Sequence, residues 1–250
     1  MKRQLSIRNG LPQGVAVAVV AVLMALASGQ VWAQESLYTP WSVGITAGLG
    51  GIFPTSSLSD NFKACVTFNA GLEAQYRALR IKGDVAFGQP SLKNNNIYNV
   101  LDDQGRDAQI NSTASASMVL VDGQLGYTVL RHGRLSITPC AGVAWSRIGW
   151  NVNDITWGKD DAGVDVFTVT HNNSTSLSNV SWIASVDFDI RLHTASTDMH
   201  LLGERSALVS SVRITPYITH ASYDKCSPAV SGNYIGLKVC YSGLLRGLNY

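Results

Sequence analysis

The feature that most constrains this chain is a period-two alternation that recurs eight times along it. From Trp41 every second residue is apolar (Trp41, Val43, Ile45, Ala47, Leu49), with Ser42, Gly44, Thr46 and Gly48 between them. A β-strand turns successive side chains to opposite faces, so the pattern predicts a strand with two unlike surfaces. The same alternation runs through Val66 to Tyr76, Leu79 to Phe87, Val119 to Val129, Leu135 to Trp145, Trp182 to Leu192, Leu208 to Ile218 and Ile235 to Tyr241. Each run is close to the roughly 9–11 residues that a tilted membrane-crossing strand needs.

The links between these runs alternate in length. Those at Arg77-Ala78 and Arg131 to Arg134 are short, whereas 51–64, 89–115, 148–178 and 220–233 are long and rich in Gly, Asn, Ser and Asp. A sixth link, 193–206, is long where a short one is expected. Even strand number with alternating short and long connections predicts an all-β fold, an eight-stranded antiparallel up-and-down transmembrane β-barrel.

Alternation alone does not say which face is inside. The non-apolar positions decide it, being mostly Gly, Ser, Thr, Ala and Asn, small enough for the interior of a barrel eight strands wide. Their few charges are of mixed sign, Glu73, Asp84, Asp122, Asp187 and Asp189 against Lys82, Arg191, Arg213 and Lys238, and are expected to pair in the lumen. The outward aromatics Trp41, Tyr76, Tyr127, Trp145, Trp150, Trp182 and Tyr241 are assigned to interfacial girdles.

Composition agrees. Only 14% of the 250 residues are charged, against about 25% in soluble domains, and no stretch near 20 apolar residues exists to form a spanning helix. Lys2, Arg3 and Arg8, the apolar run Val15 to Ala27 and Val31-Trp32-Ala33 read as a secretory signal peptide over 1–33, with the barrel domain over 34–250. Removing those three cations takes the 19 basic residues to 16 against 17 acidic ones, which leaves no electrostatic case for nucleic acid.

The chain resembles small outer-membrane β-barrel proteins of Gram-negative bacteria, of the broad OmpA-like or OmpX-like transmembrane class. The resemblance spans residues 37–250 and rests on WSVGITAGLGG from Trp41 to Gly51, PCAGVA from Pro139 to Ala144, and the aromatic last residue Tyr250. Phe87-Gly88-Gln89-Pro90 leading into Asn94-Asn95-Asn96 is similar to outer-membrane barrels of the Bacteroidetes type. Tyr250 and Tyr241 have opposite parity, so either is a candidate for the C-terminal assembly signal. The resemblance implies an outer-membrane location, contact with outer-membrane lipid and lipopolysaccharide, and handling by the barrel-assembly machinery.

Candidate chemistry is sparse. Asp187 and Asp189, with Asp84, have the residue types of an acid pair, although lumenal charge pairing accounts for them better. His220, Ser222 and Asp224 contain the types of a Ser-His-Asp set, but no strained Gly-x-Ser-x-Gly elbow surrounds Ser222. His132, His171, His193 and His200 are scattered, and Asp160, Asp161 and Asp165 lack the regular order of a calcium loop, so neither metal nor cofactor is expected. Cys140 and Cys240 face the lumen three strand positions apart, too far to bond; Cys65 and Cys226, at the long-loop end, are the pair whose placement allows a disulfide.

The expectation is therefore a barrel with a side-chain-filled lumen, not an enzyme, acting as a structural or surface-binding and adhesion protein that meets a host or cell-surface ligand through its long loops. Two alternatives stand beside it. A lipid A-modifying or proteolytic barrel enzyme needs a convergent polar site at the outer rim, and a soluble lipocalin-like carrier needs an apolar cavity.

Overall fold

Strand pairing closes this chain into a barrel. The computed structural model describes residues 38–93, 97–101, 107–111, 113–159, 161, 163, 165–201, 204–223 and 230–248. Within them run β1 (Tyr38–Pro54), α1 (Ser57–Asn61), β2 (Cys65–Tyr76), β3 (Leu79–Gly88), β4 (Ile97–Leu101), β5 (Asp107–Asn111), β6 (Thr113–Tyr127), β7 (Leu130–His132), β8 (Leu135–Lys159), β9 (Asp165–Leu201), β10 (Glu204–Tyr223) and β11 (Val230–Leu248).

Eight of these strands form the wall. β1 pairs with β2, β2 with β3, β3 with β6, β6 with β8, β8 with β9, β9 with β10, β10 with β11, and β11 returns to β1, every pair antiparallel. Closure leaves the wall without an unpaired edge. β7 is a three-residue addition to the start of β8, and β4 and β5 form a separate hairpin within 89–115. At the short-turn end, Gly133 takes φ 57, a conformation that glycine adopts without the Cβ clash other residues meet.

Two links expected to be loops are sheet. β8 and β9 pair continuously from Leu135↔Ile190 out to Lys159↔Asp165, so most of 148–178 is a ribbon prolonging the barrel wall. At the opposite end β9 and β10 pair as far as Leu201↔Glu204, so the long sixth link 193–206 is also a two-stranded ribbon. Both segments carry several Ser and Thr and lack the clean apolar alternation of a membrane-facing strand, which is why a reading based on that alternation stops short of them.

The alternation has its expected sense. On β1 Val43, Ile45, Leu49 and Phe53 are exposed, while Ser42, Thr46 and Ile52 are buried. On β2 Val66, Phe68 and Leu72 are exposed, while Thr67, Asn69, Glu73 and Gln75 are buried. The change of parity after Tyr241 is one of residue type only. The pairing of β11 with β1 runs unbroken from Tyr234 to Arg246, Gly243 takes an outward position, and Leu244 turns inward with 8% exposure. Tyr250 and residues 1–33 lie outside the described residues.

The lumen is not polar throughout. One half holds charges; the other holds a core of Ile52, Leu120, Ile148, Ile183, Tyr223 and Tyr234 with further apolar neighbours. α1 closes this half at the long-loop end, with Leu58 and, just beyond it, Phe62 buried in the same cluster. It is tied to the wall by Thr55 N–H donating to the Asn233 carbonyl at 2.9 Å and by Ser57 Oγ donating to the Ser231 carbonyl at 2.8 Å. The interior tolerates large side chains because small ones oppose them: a Cβ on Gly236 would collide with the Tyr217 ring, and one on Gly71 with the Asp84 carboxylate.

Candidate functional site

The charged half of the lumen draws on six strands. Arg80 on β3 donates from Nη1 to Asp187 Oδ2 at 2.9 Å and from Nη2 to Asp189 Oδ2 at 2.8 Å, with its Nε 3.3 Å from Glu73 Oε2. Arg213 on β10 donates from Nε to Asp189 Oδ1 at 2.6 Å and from Nη2 to both Glu73 oxygens at 2.8 and 2.9 Å. Lys82 Nζ reaches Asp187 Oδ1 at 2.7 Å, and the Thr215 hydroxyl donates to the same oxygen at 2.9 Å. Lys238 bridges Asp84 at 3.2 Å and Asp122 at 3.1 Å. Gln124 joins the two groups, donating to Asp122 at 2.6 Å and accepting from Ser185 at 2.6 Å, while Ser185 accepts from Lys82 at 3.3 Å.

Such a set is stable only as a whole. Removing charges from water is costly, and burial is offset only where every carboxylate oxygen and guanidinium nitrogen finds a partner. Here Asp187, 0% exposed, accepts from Arg80, Lys82 and Thr215.

Eight of the nine residues expected in this network are brought together: Glu73, Lys82, Asp84, Asp122, Asp187, Asp189, Arg213 and Lys238. Arg191 is not among them. A register shift between Ser210 and Ser211, opposite His193 and Arg191, breaks the wall at the rim and leaves Arg191 exposed. Arg80 takes the role instead. Its signal is present in the sequence, since it shares the inward parity of Lys82 and Asp84.

The aromatic residues divide similarly. Trp41 and Tyr76 face outward at the short-turn end with ring centroids 4.6 Å apart, and Trp145 and Trp182 also face outward. Tyr127 is half-buried at the end of β6. Tyr241 is exposed and stands opposite Ala47, its hydroxyl donating to Ser210 Oγ at 2.6 Å. Trp150 does not face outward. It has the inward parity of Ser146 and Ile148, and its ring lies 6.0 Å from that of Phe62 in the apolar half of the lumen.

Asp187 and Asp189 are occupied by arginine and lysine, so the carboxylate pair is engaged structurally. His220 Nδ1 lies 3.1 Å from Asn233 Oδ1, and Asp224 lies outside the described residues. Cys226 does too, and with it the Cys65–Cys226 pairing. Among the described residues no group of His, Cys, Asp and Glu has the arrangement of a metal site. His132 and His193 are exposed in the short-turn region, Asp161 is exposed at the tip of the β8–β9 ribbon, and the side chains of His171, His200, Asp160 and Asp165 are outside the described set.

Above the charged network, at the short-turn mouth, a cavity of about 60 Å³ opens between Arg80, Arg131, Arg134, Arg191 and Arg246. Among the described residues Asp189 is the one acid lining it, and both its oxygens are taken by Arg80 and Arg213.

No family model matches the chain, and no curated protein matches it in sequence. Among solved structures it is similar to Ail, the attachment invasion locus protein of Yersinia pestis, at 10% identity and a TM-score of 0.41, covering 82% of this chain and 97% of that one. It is also similar to Neisserial surface protein A at 13% identity and a TM-score of 0.38, covering 82% and 96%. A third is the outer membrane protease OmpT of Escherichia coli, at 8% identity and a TM-score of 0.30, covering 87% and 100%. The eight-stranded closure itself rests on the strand pairings of this chain.

Proposed function

We propose that the chain is an integral outer-membrane barrel whose lumen is plugged by its own side chains and whose long-loop end carries a surface-binding or adhesive role. The observation that carries the membrane reading is the inversion of the usual burial: Ile45, Phe68 and Val180 are 65%, 69% and 68% exposed, while Asp187 is 0% exposed. Apolar surface on this scale is unfavourable in water by about 25 cal/mol per Å² and is relieved by hydrocarbon. The basic start and apolar run before residue 34 supply an export route consistent with it.

The filled lumen favours this reading over a soluble carrier, whose ligand would need the space that Leu120, Ile148, Tyr223 and Tyr234 occupy. It also favours a binding protein over a pore, since an eight-stranded wall has an interior about wide enough for side chains alone. The β8–β9 ribbon extends the wall beyond the barrel and, with the β4–β5 hairpin, forms the part offered to lipopolysaccharide or to a host or cell-surface ligand. The barrel-assembly machinery is the expected route of insertion.

Membrane fractionation of expressing cells with heat-modifiable gel migration tests this directly. The protein is expected in the outer-membrane fraction, migrating differently before and after boiling, with an epitope inserted at 160–164 detected on intact cells. Recovery in the soluble periplasm sinks the membrane reading, and an epitope reached only after lysis sinks the surface role of the ribbon.

A further inference from the structure

We propose that the arginine-lined cup at the short-turn mouth binds a phosphate group, with the diester of an anionic phospholipid headgroup as its source. The cup is built from separate parts of the chain: Arg131 and Arg134 from the β6–β8 connection, Arg191 from the rim of β9, and Arg246 from the end of β11. Arg191 N–H donates to the Arg134 carbonyl at 2.8 Å, which fixes these two backbones side by side. The Arg131 guanidinium donates to the Arg77 carbonyl at 2.9 Å and holds the neighbouring turn against them.

Arginines that line one small cavity repel one another unless an anion joins them. Among the described residues, the only acid in the cup is Asp189, and it is committed to Arg80 and Arg213. Arg80 at the floor is likewise committed to Asp187, Asp189 and Glu73. The charge of Arg134 and Arg191 therefore has no acidic partner within the described residues. The guanidinium fork matches phosphate oxygens two at a time, and arginines drawn from separate segments around one cavity suit a tetrahedral anion better than a planar carboxylate. At roughly 10–15 Å³ per water-sized group, about 60 Å³ holds about four to six, room for one small anion.

Position selects the source. Trp41 and Tyr76 meet at a tilt of 48° on the outer face at the same end, and the Arg77 guanidinium lies 5.5 Å from the Tyr76 ring centroid. Amphipathic rings of this kind settle at headgroup depth, which places the cup beside the phosphates of the facing leaflet. This last step rests on the membrane reading above.

The test uses the mature barrel in neutral maltoside micelles doped with phosphatidylglycerol or, as a phosphate-free control, diacylglycerol, with bound lipid counted by native mass spectrometry. The wild type is expected to retain phosphatidylglycerol over diacylglycerol, and the Arg134→Gln/Arg191→Gln pair to retain about tenfold less. Arg191→Gln alone, at an exposed bulge position, gives a milder loss in a barrel whose heat-modifiable migration is unchanged. Failure of inorganic phosphate to displace the lipid supports the headgroup as source, and displacement by millimolar phosphate assigns the cup to free phosphate instead. Equal retention by wild type and double variant overturns the site. That result, in a protein that still fractionates with the outer membrane, leaves the membrane reading standing.

Discussion

The two halves of the lumen solve the same packing problem with opposite chemistry. Toward the short turns the interior is filled by five carboxylates and four cations whose pairs cross the barrel, as when Glu73 on β2 meets Arg213 on β10. Toward the long loops it is filled by Leu120, Ile148, Ile183 and their neighbours, closed by Leu58 of α1. Tyr217 lies at the junction, its ring 5.1 Å from Lys238 Nζ and itself part of the apolar cluster. The charged half is directional and all-or-nothing, because one missing partner strands a buried charge. The apolar half is graded, because each removed methylene forfeits only its own contacts and leaves a small void.

Breaking the comparison at its most connected point should give the largest effect. Asp187→Ala leaves buried Lys82 without its carboxylate and takes one partner each from Arg80 and Thr215, and is expected to destabilise the barrel by about 3–5 kcal/mol, read as a lower urea midpoint in micelles or loss of the compact unboiled band. An unchanged midpoint would show that the network is solvated and contributes no directional stability. Leu120→Ala, at a position 0% exposed, is expected to cost about 2–4 kcal/mol in the same measurement; a cost near zero would mean that the apolar half is loosely filled.

A smaller change sharpens the distinction. Tyr223 links Ser146 and Tyr234 through hydroxyl contacts of 3.1 Å each, a short polar chain inside the apolar half. Tyr223→Phe keeps the ring and should cost about 1 kcal/mol, the net worth of such a contact. A cost matching that of Asp187→Ala would show that this half too depends on its polar bonds rather than on packing.

The legible and the hidden parts of the molecule follow the same division. The eight wall strands and their outward apolar face were readable, since Ile45, Phe68 and Leu72 recur at the strand period among small polar neighbours. Most of the charged network was readable for the same reason, as charge is rare and conspicuous on such strands. The apolar half was not. Met118 and Leu120 point inward between Val119 and Val121, so β6 reads as apolar on both faces and the alternation conceals its meaning. The aromatic type of Trp150 suggests an interface, whereas its parity with Ile148 turns it inward onto Phe62. The ribbon at 193–206 was hidden because strands paired outside the barrel need no apolar face.

The sequence by itself determined the number of strands and the inside and outside of the wall, because the pleat imposes a period of two on any chain that buries one face and exposes the other. Only the tertiary structure decided what fills the inside. Which arginine meets which carboxylate, and where charge gives way to an apolar core, depends on residues that come together across a closed wall from strands more than a hundred positions apart. Parity says which way a side chain points, and closure of the barrel says what it meets there.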